Sequence, residues 1–159
     1  MLSKKHQKFM RLAIARAKVG IENGQTPFGA CIVKDGHVIA CEHNSVWAST
    51  DITAHAEIRA IRKACAGMAT VDLSGCVIYA TCEPCPMCFC ACHWAKIDVI
   101  VFGASIGDAA QAGFSELDIS NEYMKAEGSS PIEIIPGFLQ DEAVELFREW
   151  SERPDKRTY

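Results

Sequence analysis

Cys85 and Cys88 sit two residues apart behind Pro84, and His55-Ala56-Glu57 lies upstream of them. Two thiols at that spacing face one metal from a single turn, and His55 can supply a third donor. Zinc held by three protein ligands keeps a fourth position for water, the catalytic rather than the closed structural arrangement. Glu57, two residues from His55, is then an acid/base group beside the metal. The chemistry implied is hydrolytic, with a zinc-bound hydroxide as the expected nucleophile and Glu57 as the proton shuttle. A fitting reaction is removal of an amino group from a heterocycle.

The elements that must position these residues follow from periodicity. Ser3 to Asn23 reads as an amphipathic helix, with Phe9, Leu12, Ala13 and Ala17 at helical spacing and Asn23-Gly24 as its stop. Phe28 to Lys34 and His37 to Glu42 read as strands joined by the hairpin turn Asp35-Gly36. His43 to Ile52 shows no period and reads as a loop. Ala54 to Ala66 is expected to be a helix, with Thr53 as N-cap and Gly67 past its end. Cys76 to Ala80 reads as a strand, Cys85 to Ala95 as a helix, and Ile97 to Phe102 as a buried strand. Asp108 to Ala112, Ile132 to Ile135 and Asp141 to Arg153 read as a short helix, a strand and a closing helix. Strands alternating with helices imply one domain over residues 1–159, an α/β/α layering on a central mixed sheet. Both halves of the metal motif then open helices, where side chains tilt toward the N-terminal end and the dipole favours thiolate.

The 159 residues are enough to bury a core, and a 49% apolar, 23% charged composition is that of a globular protein. A net charge of −4 speaks against a large phosphate-binding surface. No apolar run approaches the roughly 20 residues of a membrane span. The opening Met1-Leu2-Ser3-Lys4-Lys5-His6 lacks a secretory apolar segment, so a cytoplasmic location is expected. Nine cysteines preclude complete internal pairing. Cys31, Cys41, Cys65 and Cys76 read as small buried hydrophobes, and the cluster from Cys82 to Cys92 as metal-related.

Other uses of that cluster remain open on spacing alone. Cys82 could join His55, Cys85 and Cys88 in a closed structural zinc site, which leaves Glu57 without a task. Cys82, Cys85, Cys88 and Cys92 reproduce a ferredoxin-like spacing, but His93 stands where that motif has proline. A redox dithiol explains neither His55 nor Glu57.

His-x-Glu followed by Pro-Cys-x-x-Cys is the zinc deaminase signature. Together with Pro27-Phe28-Gly29-Ala30, Ala60-Ile61-Arg62-Lys63-Ala64-Cys65, Trp94-Ala95, Ala112-Gly113-Phe114 and the terminal Tyr159, it makes the chain resemble the cytidine deaminase superfamily. Within that superfamily it is most similar to bacterial guanine deaminases. The resemblance runs over nearly the whole length and implies the cytidine deaminase-like fold and one zinc ion per subunit. It implies purine contacts from Asn44, apolar walls from Phe28 and Trp94, and a second proton shuttle at Glu116. It further implies a homodimer whose C-terminal segment, about 138–159, is exchanged so that Tyr159 completes the partner's pocket.

The expected reaction is hydrolysis of guanine to xanthine and ammonia. Alternatives are a tRNA adenosine deaminase, which the acidic balance disfavours, and deamination of cytosine, cytidine, guanosine or an aminotriazine. A catalytically silent zinc-binding or dimerisation module is the reading from another class, and the presence of Glu57 argues against it.

Overall fold

A computed structural model describes residues 4–159. The expected helix start at Ser3, and the reading of the first three residues, lie outside the described stretch. Five strands pair in the order β2-β1-β3-β4-β5: β1 (Gly29–Lys34), β2 (His37–His43), β3 (Cys76–Cys82), β4 (Val99–Ala104) and β5 (Glu133–Ile135). β1 is antiparallel to β2 and β3, whereas β3, β4 and β5 run parallel, so the sheet is mixed. The β1–β2 turn forms as read: Asp35 and Gly36 both take positive φ, at 49° and 79°.

Helices cover both faces. α1 (Lys4–Glu22) and α7 (Gln140–Ser151) pack on one, α1 across β1 to β3 and α7 on β4. α3 (Ala56–Met68) and α4 (Pro86–Trp94) lie on the other and touch each other. Phe9 of α1 packs on Tyr79 of β3, ring centroids 5.5 Å apart, while Ile32, Ile78 and Ile100 line the opposite face of the sheet, all within one dry core. Gly29 is required where α1 approaches β1, because a Cβ there would stand 2.2 Å from the Ala13 carbonyl oxygen. α7 buries Ala143, Leu146, Phe147 and Trp150 against its own chain, and exposed ion pairs Arg11–Glu142 and Lys18–Glu149, each 2.8 Å, tie it to α1.

Several boundaries differ from the sequence reading, for local reasons. The supposed loop after His43 contains a single helical turn, α2 (Val46–Ser49), too short to show a period. α3 starts at Ala56, so His55 rather than Thr53 is its N-cap; Thr53 instead turns back onto Asp51 through its N–H and hydroxyl. α3 runs on to Met68 and is closed by Ala69 in a left-handed conformation, so Gly67 lies within it rather than past its end. α5 (Ile106–Gln111) begins in a capping box between Ser105 and Asp108. α6 (Asn121–Gly128), capped by Ser120, gave no sequence signal because it buries little beyond Asn121. Among the described residues, no helix is long and apolar enough to cross a membrane.

Candidate active site

The site lies beyond the carboxyl end of β3, where the chain runs Cys82-Glu83-Pro84-Cys85 into α4 while α3 begins alongside. His55 and Cys85 are the N-caps of α3 and α4, both with extended backbone, and neither side chain is used to cap a backbone N–H. Their donor atoms are therefore free to face a metal. Pro86 occupies the first turn of α4, where its missing N–H costs nothing, and Cys88 follows one turn into the helix.

His55 Nδ1 stands 3.6 Å from Cys85 Sγ and 3.6 Å from Cys88 Sγ. With Zn–S near 2.3 Å and Zn–N near 2.0–2.1 Å, tetrahedral ligands place nitrogen and sulfur about 3.6 Å apart. The three donors lie within 4.8 Å of one another and form a candidate metal site that fits zinc. Cys82 is not part of it: its thiol is buried, raised well above its ordinary range by burial, and donates to the Ser105 carbonyl at 3.6 Å. The four-cysteine arrangements are thereby set aside. The helix-borne Cys92 is buried and likewise outside the metal cluster.

Electrostatics separate the groups by role. A hydrogen bond from Cys88, outweighing burial, together with His55, holds the Cys85 thiol down at about 4. Cys88 is raised, chiefly because it shares its proton with Cys85. Burial, reinforced by the Cys85 charge, pushes Glu57 up to about 7. Glu116 is also pushed up to about 7, by burial first and then by Cys85 and Glu57. One oxygen of Glu116 is buried with no partner among the described residues. Carboxyls poised near neutrality beside a metal site can take up and return protons.

Phe28, Asn44, Glu116 and Tyr159 are brought to the same small cavity as His55, Glu57 and Cys85. Asn44, fully buried, donates from Nδ2 to the Tyr159 hydroxyl at 2.7 Å and accepts from the Val46 N–H at 3.0 Å. Phe28 lies edge-on to Phe114, centroids 5.0 Å apart, on an aromatic base that Phe147 and Trp150 extend. The Tyr159 ring stands 5.5 Å from that of His55. With the tyrosine seated, the remaining space is about 10 Å³, while a groove of about 320 Å³ opens outside it past Ile52, Met87 and Leu117. Trp94 is not brought to the site of its own chain. It ends α4, about 12 Å along the axis from the ligand end at 1.5 Å per residue, and is 83% exposed.

Four supporting residues escaped sequence reasoning. Glu83 is buried and accepts from the N–H groups of Ile106 and Asn121, at 3.2 and 2.8 Å, so one carboxylate fixes the starts of α5 and α6. Asn121 returns a hydrogen bond to the Pro84 carbonyl at 2.7 Å. The loop carrying Glu116 is thus tied at both ends to the stretch before Cys85. Thr26 is fully buried near Tyr159, and its hydroxyl has no hydrogen-bond partner among the described residues. α2 supplies Trp47, over whose ring the Arg157 guanidinium lies at 4.1 Å, seating the tail that ends in Tyr159. The sequence signal for Glu83 was its place inside the cysteine motif; Thr26 and Trp47 had none.

Residues 3–104 match the family model described as the cytidine and deoxycytidylate deaminase zinc-binding region. Guanine deaminase of Bacillus subtilis is 40% identical over 155 residues, covering 97% of this chain and 99% of that protein. Its crystal structure superposes with a TM-score of 0.66, covering 97% of this chain and 98% of that one, at 39% identity. Guanine deaminase from Nitrosomonas europaea, 28% identical, gives a TM-score of 0.86 over 96% of this chain and 87% of that one. A tRNA-specific adenosine deaminase of Aquifex aeolicus is 45% identical, but over 96 residues, 60% of this chain and 64% of that protein.

Proposed function

The chain belongs to the cytidine and deoxycytidylate deaminase family, and from that premise we propose that it hydrolyses guanine to xanthine and ammonia. The observation that carries this reading is the closed pocket in which Glu57 and Glu116 flank the His55, Cys85 and Cys88 donors while Asn44 and Tyr159 supply polar contacts. Full-length similarity to guanine deaminases, against partial coverage of the Aquifex adenosine deaminase, favours guanine over a tRNA adenosine.

His55, Cys85 and Cys88 would hold zinc, which when bound supplies Lewis-acid activation of water. Glu57 accepts a proton from the attacking water and passes it to a ring nitrogen next to the amino-bearing carbon. That carbon becomes tetrahedral; the proton of its new hydroxyl passes through Glu57 or Glu116 to the amine, and the C–N bond breaks to release ammonia and leave the carbonyl of xanthine. Asn44 would turn its amide N–H from the Tyr159 hydroxyl to the purine, and Phe28 would lie against the ring. The cavity left beside Tyr159, about 10 Å³, has room for about one water and none for a purine. The tyrosine must therefore shift to admit a purine.

The same reading makes the enzyme a homodimer. Exposed Leu117 beside the site, and Ile119, Tyr123 and Trp94 along α4 and α6, give an apolar face of the kind a partner covers. In a dimer Trp94 would serve the interface or the neighbour's pocket. The tail from 138 to 159 packs on its own chain here. Exchange with a partner would conserve those contacts. A cytoplasmic location suits nine unpaired cysteines.

Ammonia release from guanine, guanosine, adenosine, adenine, cytosine and cytidine, measured on the zinc-loaded protein, tests the reading. Guanine is expected to dominate; preference for a nucleoside or a pyrimidine, or no release at all, would overturn it. Sedimentation of the protein tests the dimer.

A further inference from the structure

Two cysteines outside the site are placed for chemistry of their own. Cys31 in β1 and Cys41 in β2 are direct cross-strand partners. The Asn44 N–H donates to the Phe28 carbonyl at 3.0 Å, which makes 28/44 a hydrogen-bonded pair in this ladder. Antiparallel pairs alternate, so Gly29/His43 and Cys31/Cys41 are non-hydrogen-bonded pairs. Such pairs bring Cα atoms to about 4.5 Å with both side chains on one face, inside the window of about 4.4–6.8 Å that a disulfide requires. Both side chains lie on the face that α1 covers, and the Cys41 thiol donates to the Leu12 carbonyl of α1 at 3.7 Å. Cys31 is sealed in the core, whereas Cys41 is partly open to solvent. The neighbouring Cys31 thiol, aided by Arg16 and Lys63, holds the Cys41 thiol below its ordinary range despite burial. A partly exposed, acidified thiol backed by a buried second thiol is the arrangement of a peroxide-responsive pair.

We propose that Cys31 and Cys41 form a reversible redox site, closed to a cross-strand disulfide by a peroxide oxidant. The Cys41 thiolate attacks one peroxide oxygen; an S–O bond forms, the O–O bond breaks, and the leaving hydroxide is protonated to water. Cys31 then attacks the Cys41 sulfur. The S–S bond forms as the S–O bond breaks, and the departing hydroxide takes the Cys31 proton as a second water. Two thiols and one peroxide give one disulfide and two waters, and a thiol reductant reverses the change. The link would staple β1 to β2 a short way from Phe28 and Asn44, which flank the pocket at the ends of the two strands. It is independent of which substrate the enzyme takes.

The test treats zinc-loaded protein with hydrogen peroxide, blocks free thiols by alkylation, and maps tryptic peptides without reduction. Cleavage after Lys34 separates the two cysteines, so a disulfide appears as two joined peptides lighter than their sum by two hydrogens. That species is expected at doses that leave zinc bound, to vanish with dithiothreitol, and to accompany a rise in Tm of about 5 °C, because the cross-link restricts the unfolded chain. Cys31→Val, which fills the buried strand position with a residue suited to it, should leave Cys41 to accumulate sulfenic acid that a dimedone probe captures. Cys41→Ser should abolish both signals. Recovery of Cys31 and Cys41 as free alkylated thiols at doses that already expel zinc would overturn the proposal. So would a Cys41 disulfide to any other cysteine.

Discussion

Cys85 and Cys88 stand within one turn of α4, and His55 and Glu57 open α3, whereas Phe28, Asn44, Glu116 and Tyr159 arrive from four separate stretches of the chain. The first group is held by two adjacent helix starts, α4 directly after the buried β3 and α3 after the α2 turn, and each side chain is aimed by two or three residues of local backbone. The second is assembled only when β1, β2, the α5–α6 connection and the C-terminal tail have all docked. The contrast separates reaction from substrate. Local geometry supplies the acid chemistry, and long-range closure supplies the shape that the substrate must match.

The sharpest way to break this division is to remove the proton carrier while sparing the ligands. Glu57→Gln keeps size and leaves His55, Cys85 and Cys88 untouched, so zinc content should be unchanged. Turnover should drop by about 10²–10⁴-fold or more, the range that general acid–base catalysis supplies. Full activity in the zinc-loaded variant would remove Glu57 from the mechanism. Cys85→Ser should instead lose metal, and activity with it, which metal analysis distinguishes from loss of acid.

The substrate half should respond differently. Deleting Tyr159 leaves the metal group intact but frees Asn44 Nδ2 and opens the cavity it closes. Guanine kcat/KM should fall by about 10–100-fold, the effect of about 1.5–3 kcal/mol lost in closing the pocket. Zinc content should not change. Kinetics like those of the parent protein would show that the tail merely rests on the site.

How much of this could be read beforehand follows the same line. The metal group was legible because residue type and spacing are short-range facts, and two helix starts place them. The mixed sheet with helices on both faces was legible from alternating periods. α2 and α6 were not, since a four-residue turn has no period and α6 hides only one fully buried side chain. The residues proposed to contact the purine carried no local signal: Asn44 looks like a turn residue and Glu116 like a surface charge until the fold brings them together. Only family resemblance singled them out, and it also named Trp94, which a single chain places on the far end of α4. Cys31 and Cys41 read as inert core residues for a similar reason, because strand register is invisible until the turn between them is fixed.

A smaller effect probes the joint between the two halves. Glu83→Gln keeps one acceptor for the N–H groups of Ile106 and Asn121 and loses the other. A buried donor left unsatisfied costs about 1–3 kcal/mol, so a lowered urea midpoint is expected. The loop carrying Glu116 should loosen, and kcat should fall more than zinc occupancy. Equal loss of both would mean that Glu83 serves the metal side alone.

The least expected change is one of pH dependence, and it turns on Glu116. In the metal-free protein its carboxyl is pushed up to about 7 from an ordinary 4.5, by burial and then by Cys85 and Glu57. A folded-state value above the unfolded one means the native form binds the proton more tightly between those two pH values. Stability from this group is therefore fully present below about 4.5 and is lost as pH rises through 7. Glu116→Gln removes that titration. The difference in unfolding free energy between parent and variant should shift against the parent by about 1–3 kcal/mol from pH 4.5 to pH 7.5. Urea unfolding of both metal-free proteins across that range measures it. Bound zinc would favour the ionised carboxyl and should flatten the difference. Parallel curves in the metal-free proteins would show that Glu116 titrates as a solvated surface acid, and would detach it from the site.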